Sequence, residues 1–390
     1  MAVIDVGRDS ARINQLYYEH IPELGIPNYW YPVARAKDIR EQPTPKTLHG
    51  APVALLRRNG KIYAVANECP HRGTRLHKGS CEFPGSNTLT CRYHGWTFDV
   101  TSGALVGVLT DGPDSPMTGK ARLRTYPVEE RQGIVWLWLG DRKPVPVEDD
   151  IPPGLLMASE VHVVQRECYG NWRWHAENPG LGHATMLHRD SAYMRFVDFF
   201  GYGKRLQPVL MHEGVDGEWL QERFDDVGKG EHYPGLGPWP RRRFGEVIQI
   251  QELKPTLGVS TIVSIRLPGV VRINNYPFQG AMYYEWFVQT DPDHYLYFQV
   301  DCGFPKTVAQ RLKYLFHYYA WGRFIGIVRF TMQDIDMVGD SHDLCKKQGH
   351  NDPVALFRPD HFHLAWRKYA MANLRGGPVP GFEDARSAPS

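Results

Sequence analysis

The chain has 390 residues, with 45 basic against 43 acidic for a formal charge of +2, so nothing pulls it toward nucleic acid or an anionic membrane surface. No apolar run approaches the ~20 residues of a membrane span, and Met1–Arg8 lacks the charged and apolar regions of a secretion signal. Six cysteines are too few for a disulfide scaffold and fit a reducing compartment, so a soluble cytoplasmic protein with room for two domains is expected.

In chain order, residues 1–27 read as an N-terminal helical segment, with a short amphipathic helix around Ala11–Ile21 and then a turn marked by proline and glycine. From Asn28-Tyr29-Trp30-Tyr31 the text becomes strand-like. Val53 to Val65 reads as a hairpin turning at Asn59-Gly60, and Thr97 to Val106 as a second one turning at Ser102-Gly103. A strand over Gly133–Gly140 follows, then Pro144, Pro146, Pro152 and Pro153, which read as a linker. Residues 28–148 are therefore expected to form a small all-β domain.

Between the two hairpins lie Cys69-Pro70-His71-Arg72-Gly73 and Cys91-Arg92-Tyr93-His94-Gly95-Trp96. Two thiolates and two imidazoles are the ligand set of a Rieske [2Fe–2S] centre, with cysteines on one iron and histidines on the other. A structural zinc site is the alternative, but zinc fingers pair like with like, whereas each loop here offers one of each. Gly73 and Gly95 suit loops whose backbone must approach sulfide closely. Cys81, the other nearby cysteine, reads as a small buried hydrophobe.

Beyond the linker, residues 149–375 are expected to form a second domain. Asn171 to Met194 is helix-compatible apart from a break at Pro179-Gly180. Ile248 to Val300 alternates like antiparallel strands, Ala309–Asp340 and Asp360–Leu374 read as helices, and 376–390 reads as a flexible tail. The fold class is α+β, an all-β domain plus an antiparallel sheet covered by helices. No G-x-G-x-x-G occurs, so electrons must come from a partner. A second metal site is a candidate at His183 and His188. Five residues put them about 140° out of phase on a regular helix, and only a distorted helix brings them together. Non-haem iron(II) takes two histidines and one carboxylate; Asp334 is the candidate, with Asp336 and Asp340 as rivals.

With Tyr93-His94-Gly95-Trp96-Thr97-Phe98 added to the first ligand loop, the cluster region resembles the Rieske non-haem iron oxygenases, and Asn171-Trp172-Arg173, Glu177-Asn178, His183 and His188 are similar to that family's catalytic motif. The resemblance implies that His183, His188 and Asp334 hold mononuclear Fe(II). It also implies a homotrimer in which the cluster of one subunit serves the iron of the next. That family carries a bridging Asp three residues before its first iron histidine, where this chain has Gly180; Glu177 and Asn178 are candidate substitutes. The expected activity is that of a terminal oxygenase. It would use O₂ to hydroxylate a small apolar aromatic or heteroaromatic substrate, dihydroxylation first, with electrons from a ferredoxin or its reductase. Monooxygenation, oxidative N- or O-demethylation, and a pure electron carrier are the alternatives. Arg72, Arg75, Lys78 and Arg92 suit docking of an acidic donor, and Phe196, Phe199, Tyr276, Phe278 and Phe330 are aromatic candidates for the pocket or the core.

Overall fold

The computed structural model describes residues 6–178, 187–188, 191–199, 210–216, 219–225, 232–233, 237–238, 262–348 and 361–382. After helix α1 (Val6–His20), ten strands build the first half: β1 (Tyr29–Arg35), β2 (Thr44–Leu48), β3 (Ala51–Arg58), β4 (Lys61–Ala66), β5 (Thr88–Thr90), β6 (Trp96–Asp99), β7 (Leu105–Val108), β8 (Thr125–Tyr126), β9 (Val128–Arg131) and β10 (Ile134–Leu139). They pair into three small sheets, β1-β10-β9, β2-β3-β4-β8 and β5-β6-β7. The Asn59-Gly60 turn sits in the left-handed region at both residues (φ +47° and +78°), which matches the strand twist of a two-residue hairpin. At the second hairpin, Asp99 Oδ1 accepts from the Ser102 N–H at 2.7 Å and Gly103 takes φ +79°.

The second half begins with short helix α2 (Pro153–Met157), strand β11 (Glu160–Tyr169), and helices α3 (Trp172–Glu177) and α4 (Ala192–Phe199). Strands β12 (Leu210–Asp216), β13 (Trp219–Asp225), β14 (His232–Tyr233), β15 (Gly237–Pro238), β16 (Ile262–Arg266), β17 (Val270–Asn274), β18 (Ala281–Asp291) and β19 (His294–Gly303) follow. Seven of these strands form one antiparallel sheet in the order β11-β19-β18-β17-β16-β13-β12. The sheet's inner face is closed by α5 (Val308–His317), a π-helical segment (Tyr318–Arg329) and α6 (Phe330–Lys347), which run on without a break, and by α7 (His361–Asn373). The alternating pattern expected over Ile248–Val300 becomes β16 to β19; its first part lies outside the described residues.

One apolar core runs through both halves: Trp136 on β10 meets Trp286 on β18 edge to face, with centroids 5.5 Å apart. Backbone bonds join the halves as well. The His49 and Gly50 N–H groups donate to the Gln289 and Thr290 carbonyls at 2.8 and 2.9 Å. The proline-rich linker is pinned at Asp150, whose carboxylate accepts from the Trp30 N–H (2.8 Å) and from both terminal nitrogens of Arg375 (2.5 and 3.0 Å). The expected frayed tail is therefore ordered at its start. Val379 is 4% exposed and its N–H reaches the Met371 carbonyl at 2.8 Å; residues 383–390 lie outside the described residues.

Candidate cluster and iron sites

The candidate cluster residues occupy two matching turns. In the first, the Cys69 N–H donates to the Thr74 carbonyl (2.9 Å) and the Gly73 N–H to the Cys69 carbonyl (2.8 Å). In the second, Cys91 bonds the Trp96 carbonyl (2.7 Å) and Gly95 bonds Cys91 (3.0 Å). Both glycines are left-handed, at φ +67° and +64°. A side chain at either would be strained, and at Gly95 a Cβ would also lie 2.7 Å from that of Leu109. Cys69 and Cys91 are both buried at the edge of a small core with Leu76, Leu89 and Phe98. Burial, with Cys91 close by, pushes the Cys69 thiol up to about 11. The imidazoles face outward: His71 is exposed and its centroid lies 4.6 Å from that of His94. Trp96 stacks on His71 at 4.9 Å and 7°.

Thiol thus meets thiol and imidazole meets imidazole. A tetrahedral zinc would draw all four donors together, whereas a two-iron cluster separates them into pairs. The geometry fits the cluster. Cys81 departs from expectation: it is half-exposed, and its thiol donates to the Phe83 carbonyl at 3.3 Å instead of filling a core.

The second site is assembled from distant segments. His188 and Asp334 are 1% and 6% exposed, and Nε2 of one lies 3.2 Å from Oδ1 of the other. Ligand bonds of about 2.1 Å meeting near a right angle leave two donor atoms about 3 Å apart, so this pair suits adjacent positions on one metal ion. Asn178 donates to the same Asp334 oxygen at 2.9 Å. The other nitrogen of His188, Nδ1, lies 3.1 Å from Gln333 Oε1, the outer partner that a metal-bound imidazole needs. Burial lowers the affinity of His188 for a proton, but the charge and hydrogen bond of Asp334, with Gln333, outweigh it and the net shift is upward. Phe330 stacks on the ring at 3.8 Å. The rivals Asp336 and Asp340 are exposed, while Asp334 alone of the three is buried. His183, Gly180 and the rest of 179–186 lie outside the described residues.

Glu177 and Asn178 part company. Asn178 touches the Asp334 carboxylate, whereas Glu177 is 3% exposed and both of its oxygens are taken by Arg367 at 2.7 and 2.8 Å. That fork leaves Glu177 acting as a buried ion pair that holds α3 against α7. Its burial excludes a solvated role for this carboxylate. The cap of α3 is Asn171, which accepts from the Arg173 N–H at 3.1 Å. Three residues unremarked in the sequence complete the setting. Gln333 orients His188. Gln289, fully buried, accepts from the Trp172 N–H at 2.7 Å and so fixes where α3 starts. Glu285 is bonded to Tyr297, and burial, aided by the Asp334 charge, raises its carboxyl to about 7. Only Gln333 carried a signal, as the amide beside the candidate ligand.

The model of the Rieske [2Fe–2S] domain matches residues 29–127, and that of the homotrimeric ring hydroxylases matches 138–376. The chain belongs to this family of Rieske ring-hydroxylating oxygenases. It is 32% identical over 369 residues to the terminal oxygenase component of carbazole 1,9a-dioxygenase from a Sphingomonas species, covering 91% of this chain and 93% of that one. To the same component from Metapseudomonas resinovorans it is 31% identical, covering 91% and 92%. The solved terminal oxygenase of carbazole 1,9a-dioxygenase from Novosphingobium sp. KA1 superposes with a TM-score of 0.76 at 28% identity, over 95% of this chain and 99% of that one. An oxygenase solved in its reduced complex with ferredoxin gives 0.76 at 26% identity, over 100% and 99%. The chain is thus a terminal oxygenase component that uses a Rieske cluster and a mononuclear non-haem iron. Among the described residues no helix is long and apolar enough to cross a membrane.

Proposed function

We propose that this chain hydroxylates an aromatic or heteroaromatic ring, adding both atoms of O₂, as a cytoplasmic homotrimer fed by a ferredoxin. Cys69, Cys91, His71 and His94 hold the cluster in a domain of residues 28–148, and His183, His188 and Asp334 hold the iron in a domain of residues 149–375. The observation that carries this reading is the buried approach of His188 to Asp334, from distant parts of the chain, in a molecule that also presents a pair of outward-facing imidazoles.

The non-haem iron, when bound, supplies the activation of O₂; the protein supplies the setting. Gln333, 3.1 Å from Nδ1 of His188, holds the ring so that Nε2 is the nitrogen on the Asp334 side, where the iron would bind. Asn178 fixes one carboxylate oxygen of Asp334. Phe330 stacks on His188 at 3.8 Å and is itself backed by Tyr193 and Tyr276, at 5.2 and 5.7 Å, an apolar wall on that side of the imidazole. On the cluster side Arg72, Lys78 and Arg92 are exposed, while Arg75 is paired with Glu68 at 2.8 Å. Three of the four cations are thus presented to an acidic donor, and reduction by it should slow as salt rises.

The test is Asp334→Ala, assayed with a reconstituted electron chain and a panel of aromatic and N-methyl substrates, products identified by mass. Oxygenation should vanish and iron should drop from about three to about two per chain, with the visible spectrum of the cluster unchanged. Full iron content after this substitution would move the ligand role to another carboxylate.

A further inference from the structure

We propose that the cleft between the end of β19 and α5 is a second binding site, for a small aromatic carboxylate, separate from the iron. It has a volume of about 560 Å³, within the range of small-molecule sites. It lies where the chain leaves Gly303 and turns through Phe304 and Lys306 into α5. Its walls are rings: Phe278 and Tyr314 meet edge to face at 5.3 Å, and Phe304, 37% exposed, offers a third. Its polar edge is cationic, with Lys306, Lys313 and His317, and no carboxylate is among the side chains lining it.

Each feature selects against a different ligand. Tyr314 gives its hydroxyl to the buried Asp301, so it shows the cleft a ring and no free hydroxyl. Burial and the nearby Lys313 charge lower the proton affinity of His317, so the positive charge comes from the two lysines. Aromatic walls favour a flat ring over an aliphatic one, and two ammonium groups without a lining acid favour an anion. The walls are preformed. Tyr314 packs where a side chain on Gly303 would stand, its Cε2 2.6 Å from the place of a Cβ. Phe278 lies likewise 2.9 Å from that place on Gly322 of the π-helical segment.

The experiment is a calorimetric titration of the loaded, full-length enzyme with 2-naphthoate, beside 2-naphthalenemethanol and cyclohexanecarboxylate as uncharged and non-aromatic controls. Lys313→Glu should weaken 2-naphthoate about tenfold and Phe304→Ala about fivefold, whereas Asp334→Ala should leave it unchanged. Both groove substitutions are on exposed residues, so folding is not at stake. The proposal is overturned if 2-naphthoate fails to bind at millimolar concentration, if either control binds as well, if both groove variants bind normally, or if Asp334→Ala abolishes binding. The last result would place the ligand at the iron without touching the oxygenase reading.

Discussion

The two proposed metal-binding regions are built on opposite plans. The cluster loops are short, local and at the surface: each is closed by bonds within its own turn, and its histidines face outward. The proposed iron site is long-range and interior, made by α3, the segment around His188 and α6, with α7 and the sheet holding α3 in place. An electron must be handed over by another molecule, so its receiver needs exposure. Oxygen chemistry must be kept from water, so its centre needs burial and many supports.

If that contrast is right, damage far from the iron should disturb the iron and spare the cluster. The largest effect is expected from Arg367→Leu, which strands the Glu177 charge inside the protein at about 3–5 kcal/mol. Thermal melting should fall accordingly and mononuclear iron should be lost first; equal loss of both centres would erase the distinction. Next comes pH. The carboxyl of Glu285 is raised by burial from 4.5 to about 7, so the folded state binds a proton that the unfolded chain releases. Stability from this group is full below pH 4.5 and is lost as pH rises toward and through 7, about 3 kcal/mol in all. Denaturation at pH 6 and pH 8 should show the drop, and Glu285→Gln should flatten it; Asp301, also raised to about 7, adds a second share that remains.

Asn178→Ala should weaken iron binding about 10- to 100-fold, as loss of an outer-shell partner does, with the cluster spectrum unmoved. A metal titration of the iron-free protein measures it. The difference between two glycine substitutions sharpens the other side of the comparison. Gly95→Ala should cost about 2–3 kcal/mol, because strain adds to the clash with Leu109, whereas Gly73→Ala, with nothing within 4 Å, should cost about 1. Equal melting temperatures for the two would show that strain alone matters there.

The same contrast explains what could be read from the sequence. Cys69, His71, Cys91 and His94 are legible because a local turn needs its residues at fixed spacing. Asp334 could be separated from Asp336 and Asp340 only by burial, which depends on how α6 faces the sheet. The ion pair of Glu177 with Arg367 joins residues 190 apart, and no local pattern marks it. The helix expected over Ala309–Asp340 is present, but its π-helical middle is a product of packing: Gly322 and Gly326 allow Phe278 and Pro277 to approach the backbone. Both hairpin turns announced themselves through residues that tolerate left-handed backbone, Asn59, Gly60 and Gly103. Cys81 is half-exposed where burial is expected, because burial of a lone cysteine has no sequence signature.

The bonds from His49 and Gly50 to the end of β18 bear on recombination between chains. Gly25 sits at φ +107°, where a Cβ would run into the ring of His49, and the His49 N–H in turn grips the backbone of Gln289, the residue that sets the start of α3. Three parts of the molecule therefore meet at one joint: the segment before β1, the cluster half and the oxygenase half. Grafting a foreign cluster half onto this chain requires all three to be matched, so the unit inherited intact in a chimera is the joint and not the sheet.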